Sequence, residues 1–264
     1  MSARLLPCLA LLALLLLYPA CPRPRIQRSY PDPRPEQVLA HLQSLEQRVS
    51  SLRAETLSDV RLGKERANLT VLILAAWGGK LRFMAMNPNQ SMAADLASDG
   101  AQYCFLDANH NCGECGPATS QSVARLIRIT LDPEQVVPLL LGSTPILTNA
   151  SAKVTWDPDE GHEIVELAAG PFTQRIVLDG KNQRWDVLES VLREHGKLAW
   201  RLRHKDFHEV RAPDGQVDRL PGKSLFEEPR DSVLIRWKEQ EVNVPLDESK
   251  FRIDIPAGIS PCRK

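Results

Sequence analysis

The stretch NLTVLILAAWGGKLRFMAM, residues 68–86, carries the strongest fold signal in the chain. Residues 68–76 are apolar at almost every position, which is typical of a buried strand. The pair Gly78-Gly79 favours a tight hairpin turn. After the turn, charged and apolar residues alternate, and one face of the second strand carries Leu81, Phe83 and Ala85. The pattern predicts an antiparallel hairpin with one strongly apolar face.

The chain on both sides of this hairpin extends the same pattern. Turn residues separate further short segments, so the sequence predicts an antiparallel meander rather than alternating strands and helices. The additional predicted strands are residues 91–97, 101–106, 152–156, 162–169, 172–179, 184–193, 197–205, 207–212, 232–238 and 250–255.

Two segments have helical spacing. Apolar residues recur every three or four positions from about Pro35 to Ser58, which predicts an N-terminal helix. Asp132 is a suitable N-cap for a short apolar helix that ends at Gly142. Residues 107–123 are polar and predict a loop. The expected fold is α+β, with one strongly curved antiparallel sheet and two helical segments.

The first residues are typical of an export signal. A short positive start and a Leu-rich run lead to Cys21, and Pro22 follows at once. We expect a signal peptide over residues 1–20, a Pro-rich tether over 21–34 and one folded domain over 35–264. Cys21 resembles the acylated cysteine of bacterial lipoproteins, and ordinary cleavage near Ala20 is the alternative.

Composition limits the functions to be considered. The 264 residues include 33 Lys and Arg and 33 Asp and Glu, and this balance argues against nucleic acid as a partner. No nucleophile elbow, zinc-protease motif or phosphate-binding glycine loop is present, so we expect a protein without catalytic activity or cofactor. His204 and His208 are expected in a solvated hairpin near Asp206.

Four cysteines remain after the signal segment and Cys21, namely Cys104, Cys112, Cys115 and Cys262. An even number in an exported chain predicts disulfides, although the sequence does not choose the pairing. Pairing of Cys262 with one of the others would tie the C-terminus to the sheet. Two alternatives stay open: a zinc site formed by Cys104, His110, Cys112 and Cys115, and a redox centre at the CxxC of residues 112–115.

The order of several short motifs resembles the LolA/LolB-like family of periplasmic lipoprotein carriers and acceptors. The matching stretches are LRF with NP in residues 81–88, LASDG with YCFLD in 96–107, the helix at 132–142, Asn243, and FRIDIPAG in 251–258. The resemblance implies an unclosed half-barrel preceded by a helix and plugged by a short one. It also implies a cavity that binds acyl chains of a lipid or lipoprotein, in a bacterial envelope lipoprotein anchored by Cys21, facing the periplasm and located at the outer membrane.

A large curved sheet leaves an apolar concave face, and burial of a lipid tail there would gain about 0.8 kcal/mol per methylene. The alternative is a structural or assembly lipoprotein in which the same residues form a filled core. The candidate cavity residues are Leu39, Leu42, Val49, Leu72, Leu81, Phe83, Phe105, Val137, Leu140, Ile176, Leu198, Trp200 and Ile235.

Overall fold

The computed structural model describes residues 25–127 and 129–262, which form one large antiparallel sheet and three helices. The helices are α1 Pro35–Arg48, α2 Ser120–Ile127 and α3 Pro133–Leu140. The strands are β1 Ser51–Leu62, β2 Glu65–Ala76, β3 Lys80–Met86, β4 Met92–Asp99, β5 Gln102–Asp107, β6 Cys112–Pro117, β7 Ser151–Asp157, β8 His162–Ala169, β9 Phe172–Asp179, β10 Val187–Glu194, β11 Lys197–Lys205, β12 His208–Arg211, β13 Val217–Leu220, β14 Lys223–Glu227 and β15 Asp231–Val242.

Thirteen of these strands form one sheet in the order β6-β5-β4-β3-β2-β1-β15-β14-β11-β10-β9-β8-β7. The strands β12 and β13 form a separate hairpin. Because the edge strands β6 and β7 do not pair with each other, the sheet is an unclosed half-barrel, and the predicted α+β class is confirmed. In the β2–β3 hairpin, which was predicted from residues 68–86, Ile73 lies opposite Phe83. Gly78 and Gly79 in its turn both have positive φ.

The N-terminal helix is shorter than predicted. It ends at Arg48, and the residues from Ser51 onward form strand β1 instead of continuing the helix to Ser58. This strand lies between β2 and β15, so its backbone groups are satisfied on both sides. Sheet pairing therefore overrides a stretch that also fits helical spacing.

Two other sequence expectations need correction. Residues 107–123 are not all loop, because strand β6 and the start of α2 lie within them. Residues 250–255 do not form a closing strand; Glu248–Phe251 is a 3-10 helix, and the chain beyond it crosses the outer face of the sheet. The strands predicted at 162–169, 172–179 and 197–205 are confirmed to the residue, and β13 and β14 were not predicted.

The inner face of the sheet is the face covered by the helices. It carries two separate apolar clusters, one against α3 and one against α1. The larger cluster includes Phe83 and Leu140, and the smaller one includes Leu42 and Ile176. Among the described residues, no helix combines the length and the apolar character needed to cross a membrane.

The C-terminal segment packs on the opposite, outer face. The guanidinium of Arg82 bonds Asp95 and also donates to the carbonyl of Lys250 at 3.1 Å. At the edge of the sheet, the backbone N–H of Gly113 donates to the carbonyl of Ser260 at 2.9 Å. A Cβ at Gly113 would lie 2.9 Å from Ile255, so glycine allows this close approach.

At the other edge, the N-terminal segment packs against β7 and β8. Ile26 donates its N–H to the carbonyl of Pro158 at 2.7 Å, and Trp156 Nε1 donates to the carbonyl of Ile26 at 2.9 Å. The described part of the expected tether is therefore fixed to the sheet from Ile26 onward. Cys21 and the signal segment lie outside the described residues, and their roles stay predictions.

Candidate functional site

The candidate site is a narrow apolar cleft on the inner face, between α3 and the strands β1, β2, β3 and β15. Its volume is about 20 Å³, which is little more than the space of one water molecule. Apart from one hydroxyl, all of its lining side chains are apolar. They are Ser58, Val60, Leu69, Val71, Ile73, Phe83, Ala85, Ile129, Leu140, Val233 and Ile235.

Eleven of the thirteen candidate cavity residues fall into two groups that do not meet. The larger cluster contains Val49, Leu81, Phe83, Phe105, Val137, Leu140, Trp200 and Ile235. The smaller cluster contains Leu42 and Ile176, with Leu39 half-buried at its margin. Phe83, Leu140 and Ile235 line the apolar cleft itself.

Two candidate residues lie elsewhere. Leu198 is half-buried at the start of β11. Leu72 lies on the outer face, where it lines a groove together with Leu57 and Met86. Strand β2 is apolar on both faces, and its register with β3 shows that Val71, Ile73 and Ala75 point inward.

The linker that follows α3 divides the two clusters. Leu141 belongs to the larger cluster, whereas Ile146 and Leu147 pack against the smaller one. Ser143 and Thr144, between them, are 2 % and 1 % exposed. The inner face therefore consists of two compartments rather than one continuous trough.

Gln174 satisfies the backbone of this buried linker from strand β9. Its Nε2 donates to the carbonyl of Pro145 at 2.7 Å, and its Oε1 accepts from the N–H of Leu147 at 2.7 Å. The same Nε2 lies 2.9 Å from the hydroxyl of Ser190. Because buried backbone groups need partners, these bonds allow the linker to cross the inner face.

His204 holds the linker from strand β11, contrary to the expected solvated hairpin. Its Nε2 lies 3.1 Å from the carbonyl of Ser143, which can only accept, so this nitrogen carries the proton. Its Nδ1 then accepts from the hydroxyl of Ser224 at 2.9 Å. Burial lowers the pKa of His204 to about 4, so the side chain is a neutral structural clamp at pH 7.

Two hydroxyls on the inner face of β1 were not identified from the sequence. Thr56 is fully buried and donates to the carbonyl of Val71 at 3.1 Å. Its Oγ1 also lies 3.2 Å from the hydroxyl of Ser58, which lines the cleft. The signal that could have found them is the alternation of β1, in which these residues occupy inward positions between Ala54 and Val60.

The cysteines are oxidised in pairs, as predicted. Cys104 bonds Cys115 across the paired strands β5 and β6, and Cys112 bonds Cys262 in the C-terminal segment. The two cysteines of the CxxC therefore have different partners, which removes the predicted redox alternative. With all four sulfurs in disulfides, the zinc alternative also fails, and His110 instead contacts Asp107 at 2.9 Å.

Comparison with known proteins identifies the fold. No protein-family model matches the sequence, and no curated protein matches it. Among solved structures, a LolA superfamily protein from Nitrosomonas europaea has a TM-score of 0.57 at 8% identity, covering 84% of this chain and 99% of that one. A domain described for outer membrane lipoprotein sorting, from Vibrio parahaemolyticus, has a TM-score of 0.56 at 9% identity.

The similarity to the Vibrio domain covers 81% of this chain and 94% of that domain. A DUF1329 family protein from Desulfovibrio piger has the same coverage, with a TM-score of 0.53 at 9% identity. The chain therefore shares the half-barrel fold of these LolA-like structures, and the resemblance predicted from the sequence motifs is confirmed at the level of the fold.

Proposed function

We propose that the protein binds an acyl chain of a lipid or lipoprotein in the apolar cleft under α3, at a bacterial cell envelope. The observation that supports the proposal most directly is the lining of the cleft, where ten of eleven side chains are apolar. In the proposed function the protein transfers or inserts its ligand without catalysing a reaction. Cys21 carries the lipid that anchors it to the membrane.

Binding requires the cleft to widen, because its present volume of about 20 Å³ excludes an acyl chain. The cover consists of Leu140 on α3 and Ile129 in the segment before it. The helix α3 is eight residues long and contains Pro138, and short helices depend on packing rather than on their own hydrogen bonds. Displacement of this cover is therefore the proposed opening step.

The energetic balance favours such an exchange. Moving α3 exposes apolar side chains, and an incoming chain buries comparable area again at about 0.8 kcal/mol per methylene. The neighbouring compartment is separated by the linker held by His204 and Gln174, so it can keep its packing while the cleft opens. We expect the acyl chain to occupy only the larger compartment.

A rim substitution tests the proposal without disturbing the core. Leu69 lines the cleft but is only half-buried, so the carboxylate of Leu69→Glu can reach water. We expect this variant to remain folded and to lose at least about tenfold in affinity for a fluorescent fatty acid, because a charge at the mouth repels an apolar ligand. Fluorescence titration measures the affinity, and circular dichroism measures the fold.

Leu57→Glu is the matched control, because Leu57 belongs to the adjacent strand but lies on the outer face with 40% exposure. It should bind the fatty acid like the wild type. A wild type that binds no fatty acid, or equal affinity in the two variants, would support the structural lipoprotein with a filled core instead.

A further inference from the structure

A second cavity of about 180 Å³ lies apart from the apolar cleft. It is bounded by the end of α1, the loop between β9 and β10, and the β12–β13 hairpin. We call it the arginine pocket, after the residues that give it its charge: Arg48, Arg184, Arg219, Asp186 and Asp218. Three segments that are distant in sequence thus each contribute one arginine to the same cavity.

The two carboxylates neutralise only part of this charge. Arg219 Nε lies 2.9 Å from Asp186 Oδ2, and Arg48 Nε lies 3.5 Å from Asp218 Oδ1. Arg184 makes no hydrogen bond or close ion pair with the described part of the chain, although its charge acts on Asp186 from a greater distance. Among the charged side chains that line the pocket there are three arginines and two carboxylates. Since each guanidinium has five N–H donors, many of these donors have no acceptor among the described residues.

The side chains around the arginines are partly shielded from water. Burial raises the pKa of Asp186, although the neighbouring Arg219 opposes this effect. Burial, together with the charge of Arg48, lowers the pKa of His41, so this imidazole adds no charge at pH 7. Because charge interactions strengthen as water is excluded, the partly buried side of the pocket, around Arg219 and Asp186, favours binding of an anion more than an open surface would.

The loop that carries Arg184 has an unusual backbone. The residues on both sides of it, Gln183 and Trp185, have φ of 58° and 54°, in the left-handed region that non-glycine residues rarely adopt. The loop is fixed because Trp185 donates its N–H to the carbonyl of Asp179 at 2.8 Å and packs edge-on against His41, with ring centroids 5.1 Å apart. Such strain persists only where the surroundings enforce it, and it often marks binding sites.

We propose that the arginine pocket binds a phosphate group carried by a small organic molecule. A carboxylate is satisfied by one guanidinium fork, whereas a tetrahedral phosphate can accept from donors that converge from separate elements. The volume is below that of a typical drug-sized site and suits a headgroup-sized ligand. Phe207, Trp185 and the 41% exposed Val217 provide apolar walls for the organic part.

The test uses the full-length protein in phosphate-free buffer, titrated calorimetrically with inorganic phosphate and with glycerol phosphate. We expect both to bind, and Arg184→Gln to weaken each at least about tenfold. Arg184 is exposed and makes no hydrogen bond with the described residues, so this variant should keep the circular dichroism spectrum and thermal midpoint of the wild type.

Arg230→Gln is the control, because Arg230 is also exposed, has no ion pair among the described residues and lies outside the pocket. It should bind phosphate like the wild type. No phosphate binding by the wild type, or equal affinity in Arg184→Gln, overturns the proposal. This outcome is independent of fatty-acid binding, which is measured at a different cavity.

A vesicle assay distinguishes the two sources of the phosphate. A Cys21→Ser version removes the proposed lipid anchor, so flotation with phosphatidylglycerol vesicles then reports the folded domain rather than the anchor. Flotation that glycerol phosphate abolishes, and that Arg184→Gln lacks, assigns the pocket to a lipid headgroup. Calorimetric binding without flotation assigns it to a free phosphorylated molecule.

Discussion

The two open edges of the half-barrel are protected in different ways. At β6 the C-terminal segment is joined covalently, through the disulfide between Cys112 and Cys262. At β7 and β8 the N-terminal segment is held without any covalent bond. There Arg28 forms two hydrogen bonds with Glu163, at 2.7 and 3.0 Å, and Tyr30 donates to the same carboxylate at 2.9 Å.

The difference reflects what each edge can bury. Strand β6 consists of small and polar residues with no aromatic side chain, so it has little apolar area to offer a covering segment. The opposite edge has two tryptophans, and Arg28 lies 5.1 Å from the ring centroid of Trp156. At β7 and β8, side chains enclose a buried ion pair, and noncovalent contacts hold the N-terminal segment. At β6, which lacks such side chains, a disulfide holds the C-terminal segment.

The largest effect is expected when the C-terminal disulfide is removed. Its cysteines are 150 residues apart, and the chain-entropy relation gives about 5 kcal/mol for a loop of this length. We expect Cys112→Ser/Cys262→Ser to lose most of that stability in denaturant unfolding without reductant. The matched change Cys104→Ser/Cys115→Ser opens a loop of only 11 residues and should cost about 3 kcal/mol. Equal losses would show that loop length does not set the contribution.

A smaller effect is expected at the opposite edge. Arg28→Met leaves the carboxylate of Glu163, which is 0% exposed, without its charged partner, and should cost about 3 kcal/mol. Adding Glu163→Gln removes the buried charge, so the double variant should regain part of the loss. Urea unfolding of the wild type, Arg28→Met, Glu163→Gln and the double variant gives a double-mutant cycle. Strictly additive losses would mean that the two side chains do not stabilise each other.

The smallest effect concerns the hydroxyl of Tyr30, which donates to Glu163 and accepts from Trp185 Nε1 at 3.0 Å. Tyr30→Phe should cost about 1 kcal/mol near neutral pH. Burial raises the pKa of Tyr30 from 10.0 to about 12, so the unfolded chain releases this proton first as pH rises. The free energy of unfolding of the wild type should therefore decrease as the pH rises from 10.0 to about 12. Urea unfolding of Tyr30→Phe should not show this decrease. An identical alkaline loss in both proteins would assign it to other groups.

Much of the sheet could be predicted because turns and alternation are local signals. The hairpin around Gly78 and Gly79 was predicted from its own residues and is present. Strand β1 was mistaken for helix because Thr56 and Ser58 occupy inward positions, where their hydroxyls bond neighbouring groups instead of presenting apolar surface. Its character as a strand depends on partners that lie elsewhere in the chain.

The sites were harder to predict than the strands. Strand β6 has weak β propensity, and the disulfides that join it to β5 and to the C-terminal segment have a pairing that the sequence left open. The two-compartment interior depends on contacts such as His204 with Ser143, which are 61 residues apart. The arginine pocket joins three distant segments, so no local pattern could reveal it.

The pairing of β1 with β15 has a consequence for how the chain folds. It places Leu52 beside Val242, and it is the junction through which the early and late hairpins become one sheet. Hairpins such as β2–β3 involve neighbours and can form quickly, whereas contacts between distant residues form slowly. The central seam cannot form until strand β15, far along the chain from β1, is available for pairing. The sheet is therefore expected to be completed only after its separate hairpins have formed.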